Sequence, residues 1–109
     1  MPVNERILQL EADFLKALAH PTRLRILEFL RDGEHCVCEL TDQLDLVQAN
    51  VSQHLAVMKR QDIISSRKEG TQVIYSVTYP EVYTLLDGVK AVLKQQASTA
   101  AKLLGTEDY

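Results

Sequence analysis

The stretch "QANVSQHLAVMKRQD", residues 48–62, runs straight into "IISSRKEGTQVIYSV", residues 63–77, and the hydrophobic period changes between them. In the first stretch Val51, Leu55 and Met58 recur at i, i+4 and i+7, the apolar stripe of a helix. Asn50, Gln53 and His54 then point elsewhere. In the second stretch "IISSRK" and "QVIYSV" are short β-prone runs around "EGT", where Gly70 supplies a turn. A polar-faced helix followed at once by a hairpin is the reading half of a winged helix-turn-helix, whose second helix enters the DNA major groove.

The flanking sequence completes that pattern. "CELTDQLD" (38–45) reads as a short helix with Leu40 and Leu44 inward. Upstream, "NERILQLEADFLKALAH" (4–20) places Ile7, Leu10, Phe14 and Leu18 on one helical face. His20-Pro21 ends it, because a residue before proline avoids the α region, and Pro21 suits the first turn of the next helix. "TRLRILEFLR" (22–31) repeats the pattern with Leu24, Leu27 and Leu30, plus Ile26, until Asp32-Gly33. Downstream, residues 80–104 return to helical spacing through Val82, Leu85, Leu86, Val89, Val92 and Leu93. Gly88 within that helix costs up to about 1 kcal/mol against Ala and permits close approach of another backbone. The last residues, "GTEDY", read as a fraying end.

The expected fold is therefore mainly α with a β-hairpin wing, in the order α-α-α-α-β-β-α. The whole of 1–109 reads as a single winged helix-turn-helix domain. Residues 4–20 and 80–104 would be dimerisation helices, 38–61 the helix-turn-helix and 63–78 the wing. The stripe Val82, Leu85, Leu86, Val89 and Leu93 exceeds what so small a monomer needs, so a homodimer is expected, with its dimer interface there. Two recognition helices about one DNA turn apart imply a near-palindromic operator.

Charge is unevenly placed. The net charge is −3, which as a bulk property speaks against nucleic acid. Residues 32–47, however, hold five acids (Asp32, Glu34, Glu39, Asp42 and Asp45) and no Lys or Arg. Residues 48–79 hold Lys59, Arg60, Arg67 and Lys68 against Asp62 and Glu69, a net of +2. A basic zone thus coincides with the reading helix and wing. On that helix Gln48, Asn50, Ser52, Gln53 and His54 offer amides, a hydroxyl and an imidazole, groups that read base edges or hold phosphates. Lys59 at the helix end would meet backbone or solvent, and Arg67 and Lys68 near the hairpin tip would reach phosphates or the minor groove. No run of 18 apolar residues spans a membrane. The N-terminus lacks a signal-peptide core, so the reading is a cytoplasmic protein.

Both cysteines of the chain, Cys36 and Cys38, lie in the acidic zone, in "GEHCVCEL" (33–40). A bond between them closes almost no loop and would stabilise little. In a reducing compartment close thiols more often bind metal or do redox chemistry. On a regular helix the two lie about 200° apart, whereas in extended backbone residues i and i+2 share a side. They would chelate best just before the third helix or with its first turn opened. Thiolates select soft ions such as Cd(II), Pb(II), Hg(II) or As(III), and also bind Zn(II). His35, Glu34, Glu39 or water could complete the set. Nearby acids favour a cation and oppose an anion. No Ser/His/Asp set, phosphate loop or paired catalytic carboxylates support an enzyme, and the usual dithiol redox spacing is C-x-x-C.

"LKALAHPTRLRILEFL", then "CVCEL", then "VSQHLAVMKRQDIISSRKEGTQVIYSV" resembles, in order, the ArsR/SmtB family of winged-helix, metal-responsive repressors. The likeness covers about residues 10–95. It implies that Cys36 and Cys38 are metal ligands, as in members with C-V-C at this position. Arsenic-responsive members often carry a third cysteine three residues on, where this chain has Thr41. Cadmium and lead sensors add cysteines from an N-terminal extension, and residues 1–35 contain none. Zinc sensors use Asp/His on the last helix; here Tyr79, Glu81 and Val92 stand near those positions. His20 belongs to the family's junction of helices one and two, a packing role. Where the family usually has a serine before the recognition helix, this chain has Val47, which cannot cap it.

The resulting expectation is an operator-binding repressor without a permanent cofactor, released by a thiophilic metal or metalloid at Cys36 and Cys38. As(III) or Sb(III) comes first, with Cd(II), Pb(II) and Zn(II) as alternatives. A second reading makes the signal oxidation or persulfide, against which a C-x-C disulfide is strained and its surroundings acidic. The third is a dithiol metal carrier that never touches DNA.

Overall fold

The computed structural model describes residues 4–44 and 46–105. Asp45 and most of the end read above as fraying, residues 106–109, lie outside the described residues. The chain divides into two compact units between Tyr79 and Pro80, described in turn.

In the first unit, α1 (Glu5–Leu18) starts at Asn4, whose Oδ1 accepts from the Arg6 amide at 2.9 Å. The second helix, α2 (Pro21–Phe29), starts at His20, whose Nδ1 accepts from the Thr22 amide at 3.0 Å, with Pro21 at its first position. A short 3-10 turn, Leu30–Asp32, follows, and Gly33 then takes a φ of 144°, which L side chains rarely adopt. The next elements are β1 (His35–Cys36), α3 (Val37–Leu44), α4 (Gln48–Arg60), β2 (Ile64–Glu69) and β3 (Gln72–Val77). The helix-turn-helix and the hairpin of the sequence reading are thus present.

Two details differ. The hairpin is joined by a third strand. β1 pairs antiparallel with β3 (His35 with Tyr75, Cys36 with Ile74), giving the order β1-β3-β2. Two residues are too few to show a period in sequence, and the partner lies 38 positions away. Helix α4 ends in a Schellman turn made by Asp62, which adopts a left-handed φ of 57°. The Asp62 amide donates to Lys59 O at 3.0 Å and the Ile63 amide to Met58 O at 3.0 Å. That turn drives Ile63 inward against the end of α4 and aims the chain into β2.

The core of this unit is built from Ile26 and Leu27 of α2, Leu40 of α3, Val51, Leu55 and Met58 of α4, and Ile63 and Ile64, all fully buried. The expected stripe of α4 is therefore the buried one. On α1 only Leu18 of the expected face is buried, and Ile7 and Leu10 remain exposed.

The second unit is α5 (Glu81–Leu103). Val82 and Leu86 are buried, while Leu85, Val89, Val92 and Leu93 are exposed. The stripe expected to form a dimer interface is thus split. Leu85, Val89 and Leu93 are its exposed members. Gly88 lies among these with nothing within 4 Å of its would-be Cβ.

Candidate functional site

Helix α4 presents Gln48, Asn50, Ser52 and Gln53 to solvent. Its N-terminus lies at Val47, which is extended (φ −70°, ψ 131°) and makes no side-chain cap. The four side chains lie on the first two turns, outside the buried stripe. That arrangement suits a groove, because the N-terminal part of a recognition helix meets base edges.

His54 is not on that surface. It is half-buried, and its Nδ1 accepts from Arg23 Nε at 3.1 Å, while its ring lies 4.3 Å from that of His20. His54 thus differs from the exposed residues expected to read DNA in being held by Arg23 and His20. Position 54 sits one turn from Val51 and one residue from Leu55, at the edge of the core stripe. Burial, then His20 and Arg23, push its pKa below the usual histidine value. Arg23 is a hub: its NH1 group also donates to Lys16 O and Ala17 O, both at 3.2 Å, closing the end of α1. Arg25 donates to Leu44 O at 3.0 Å and holds the end of α3.

The basic side chains of the wing are partly engaged. Lys59 Nζ donates to Ser66 Oγ at 2.6 Å, tying α4 to β2. Arg67 forms a two-pronged pair with Glu34, Nε to Oε2 at 3.2 Å and NH2 to Oε1 at 3.2 Å, and a second pair with Glu69. The hydrogen bond from Arg67 holds the Glu34 carboxyl below its ordinary range, and the two carboxylates raise Arg67 above its own. Lys68 is exposed beside the turn.

The thiol site lies where β1 becomes α3. Cys36 is 2% exposed and Cys38 exposed, and the structure joins them in a disulfide with Cα atoms 5.3 Å apart. The sequence reading gave such a bond little stabilising value, and the structure nonetheless brings the two sulfurs together. The chain passes from strand to helix between the two residues, so neither the 200° separation of a helix nor a straight strand applies.

Cys36 also caps α3. Its Sγ accepts from the Glu39 amide at 3.3 Å, and its own amide donates to Glu39 Oε1 at 3.3 Å. These reciprocal bonds are a capping box with sulfur in place of a hydroxyl oxygen. "C-V-C-E" carries the signal for it, a carboxylate three residues after the cap, once cysteine is allowed in the first position. Thr41 Oγ1 donates back to Cys38 O at 2.9 Å.

His35 is fully committed. Its Nε2 lies 3.0 Å from Asp32 Oδ1 and its Nδ1 lies 2.9 Å from Glu39 Oε2. Both nitrogens face carboxylate oxygens, and the bonds to Asp32 and then Glu39 raise its pKa. To serve in the expected ligand set, His35 would have to give up one of these bonds. Glu39 and Glu34, the other side chains that could have completed it, hold the cap and Arg67. Among the described residues no three His, Cys, Asp or Glu side chains form a metal-binding group.

Residues 20–66 match the model of the family described as "Bacterial regulatory protein, arsR family". The chain is 36% identical over 102 residues to the uncharacterized HTH-type transcriptional regulator Rv0081 of Mycobacterium tuberculosis, covering 93% of this chain and 90% of that one. This chain belongs to the arsR family. The Rv0081 crystal structure superposes with a TM-score of 0.80 over 90% of this chain and 99% of that one. The arsenic resistance transcriptional regulator ArsR1 of Pseudomonas putida is 43% identical over 75 residues, 68% of this chain and 58% of that one. The solution structure of Mb0332 from Mycobacterium bovis, titled a homodimeric winged helix-turn-helix DNA-binding domain, matches at TM-score 0.77 and 27% identity, over 87% of this chain and 88% of that one. Membership of the arsR family makes the chain a winged helix-turn-helix transcriptional regulator that acts on DNA, and not an enzyme. Among the described residues no helix is long and apolar enough to cross a membrane.

Proposed function

We propose that this arsR-family chain is a cytoplasmic, homodimeric repressor that leaves its operator when a thiophilic metalloid or metal bridges reduced Cys36 and Cys38. The observation that carries the reading is the convergence of the two sulfurs on the strand-to-helix junction that caps α3. A soft ion held by two thiolates there acts on the support helix of the DNA-reading pair. The cap on the Glu39 amide and the pairing of Cys36 with Ile74 both involve a residue that the ion must engage. Gln48, Asn50, Ser52 and Gln53 read the operator. Lys59, Arg67 and Lys68 meet its backbone.

As(III) or Sb(III) is the first choice. Two thiols, with no third ligand beside them among the described residues, suit a trivalent centre completed by solvent better than Cd(II), Pb(II) or Zn(II), which draw on larger ligand sets. The similarity to ArsR1 of Pseudomonas putida supports it. The dimer forms through exposed Leu85, Val89 and Leu93 of α5, a reading supported by the homodimeric Mb0332. Titrating a complex of reduced protein and labelled upstream duplex with As(III), Sb(III), Cd(II), Pb(II) and Zn(II) tests the proposal. Release by As(III) or Sb(III) at the lowest concentration is expected, and a complex indifferent to all five ions contradicts it.

The disulfide favours a second reading, in which the signal is an oxidant. Two thiols give two electrons and two protons to a peroxide, which leaves as two waters, and Sγ of Cys36 bonds to Sγ of Cys38. Release by peroxide, reversed by a dithiol reductant, with the peptide spanning residues 36–38 lighter by two hydrogens, is its signature.

A further inference from the structure

We propose that Glu34 couples the thiol segment to the wing, by competing with operator phosphate for Arg67. The inference rests on the repressor reading above and adds the route by which closure of the sulfurs reaches DNA.

Three observations carry it. First, Arg67 belongs to β2 and Glu34 immediately precedes β1, the two outer strands of the sheet. Their two-pronged pair therefore spans the sheet across β3. Second, Cys36 and Arg67 share a rung: both are in register with Ile74, from opposite sides. Directly opposed residues project from one face, and Glu34, two residues before Cys36, shares that side. Any movement of Cys36 on closing the sulfurs is transmitted over two residues to the carboxylate that holds Arg67. On the other side the segment is bounded by Gly33, at φ 144°. Third, the fork of a guanidinium that grips one carboxylate through Nε and NH2 is not free to grip a phosphate in the same way. With Glu69 on its other edge, Arg67 is withheld from DNA in the closed-sulfur state of this structure. The pair is exposed and hence weak and exchangeable, as a switch between two anions requires.

The test compares wild type with Glu34→Gln, Glu69→Gln, Arg67→Gln and the Glu34→Gln/Arg67→Gln double variant. Each binds a labelled upstream duplex over a range of salt, reduced and then treated with arsenite or peroxide. After treatment, Glu34→Gln is expected to bind the duplex about two- to fivefold more tightly than treated wild type, and when reduced it should bind as wild type does. The slope of log affinity against log salt should steepen by up to about one per wing. The ratio of reduced to treated affinity should shrink. Glu69→Gln, which lacks the connection to the thiols, should tighten binding and keep the wild-type ratio. In the Arg67→Gln background the Glu34 change should do nothing. A Glu34→Gln protein with the wild-type ratio, or one whose effect persists without Arg67, overturns the inference. A wild type that ignores the duplex, or ignores both arsenite and peroxide, breaks the repressor reading itself; a responsive wild type with Glu34→Gln indistinguishable from Glu69→Gln breaks this inference alone.

Discussion

Arg23 lies far from both cysteines in sequence, yet its replacement should be among the most damaging polar changes in the molecule. Its guanidinium ties α2 to α4 through His54 and to the end of α1 through the carbonyls of Lys16 and Ala17. The bonds to His54 and Ala17 are part-buried and the bond to Lys16 is exposed. Counting roughly 1–1.5 kcal/mol for each part-buried bond and nothing for the exposed one, Arg23→Ala should cost about 2–3 kcal/mol. The cost should depend on pH. His54 accepts from Arg23 only when Nδ1 is unprotonated, and its pKa is lowered in the folded protein by burial, then by His20 and Arg23. For a lowered histidine, the folded state disfavours the proton. The contribution is complete above the ordinary value of about 6.5 and is lost as pH falls below it toward the folded value. Urea unfolding of wild type and Arg23→Ala at neutral and mildly acid pH reads both effects. The gap should narrow on acidification, and the Arg23→Ala/His54→Ala double variant should show coupling of about 1 kcal/mol. A cost below about 0.5 kcal/mol at neutral pH, or one that does not change with pH, would refute the hub.

Val47 stands at the start of α4, 67% exposed, without a cap bond; Val47→Ser should raise stability by about 0.5–2 kcal/mol, and an unchanged urea midpoint would show that the helix end is already satisfied. His35 has a raised pKa because of Asp32 and then Glu39, so its stabilisation is complete below about pH 6.5 and lost as pH rises through the folded value. The deficit of His35→Gln should be largest in acid and fade in alkali, and a deficit that grows with pH would contradict the assignment. Val89 sits 50% exposed beside Leu85 and Leu93. Val89→Asp should sediment as a monomer where wild type is a dimer, and it should bind the duplex more weakly. A variant that stays dimeric at equal concentration would move the interface elsewhere.

The helices and the hairpin were legible because their signals are local. Val51, Leu55 and Met58 mark the buried stripe of α4, and Gly70 marks the turn between β2 and β3. What was hidden depends on partners distant in sequence. Nothing within "EHC" shows that Cys36 will pair with Ile74, or that Glu34 will meet Arg67 across a strand. His54 looked like a reader because histidine is polar and its neighbours Ser52 and Gln53 are exposed. Its inward turn is decided by Arg23, 31 positions earlier. The amphipathic stripe of α5 was visible, but periodicity cannot divide its buried residues, Val82 and Leu86, from its exposed ones, Leu85, Val89 and Leu93. The cap by Cys36 was a local feature overlooked, because sulfur seldom stands where a hydroxyl serves.

The central claim is that the two sulfurs carry the signal. The measurement that meets it most directly is fluorescence anisotropy of the labelled upstream duplex with reduced wild type and with the Cys36→Ser/Cys38→Ser variant, each titrated with As(III). Wild type should lose about 5- to 150-fold in affinity, the usual range of allosteric coupling, while the variant binds DNA as reduced wild type does and is not released. A variant released by As(III) as readily as wild type would contradict the account.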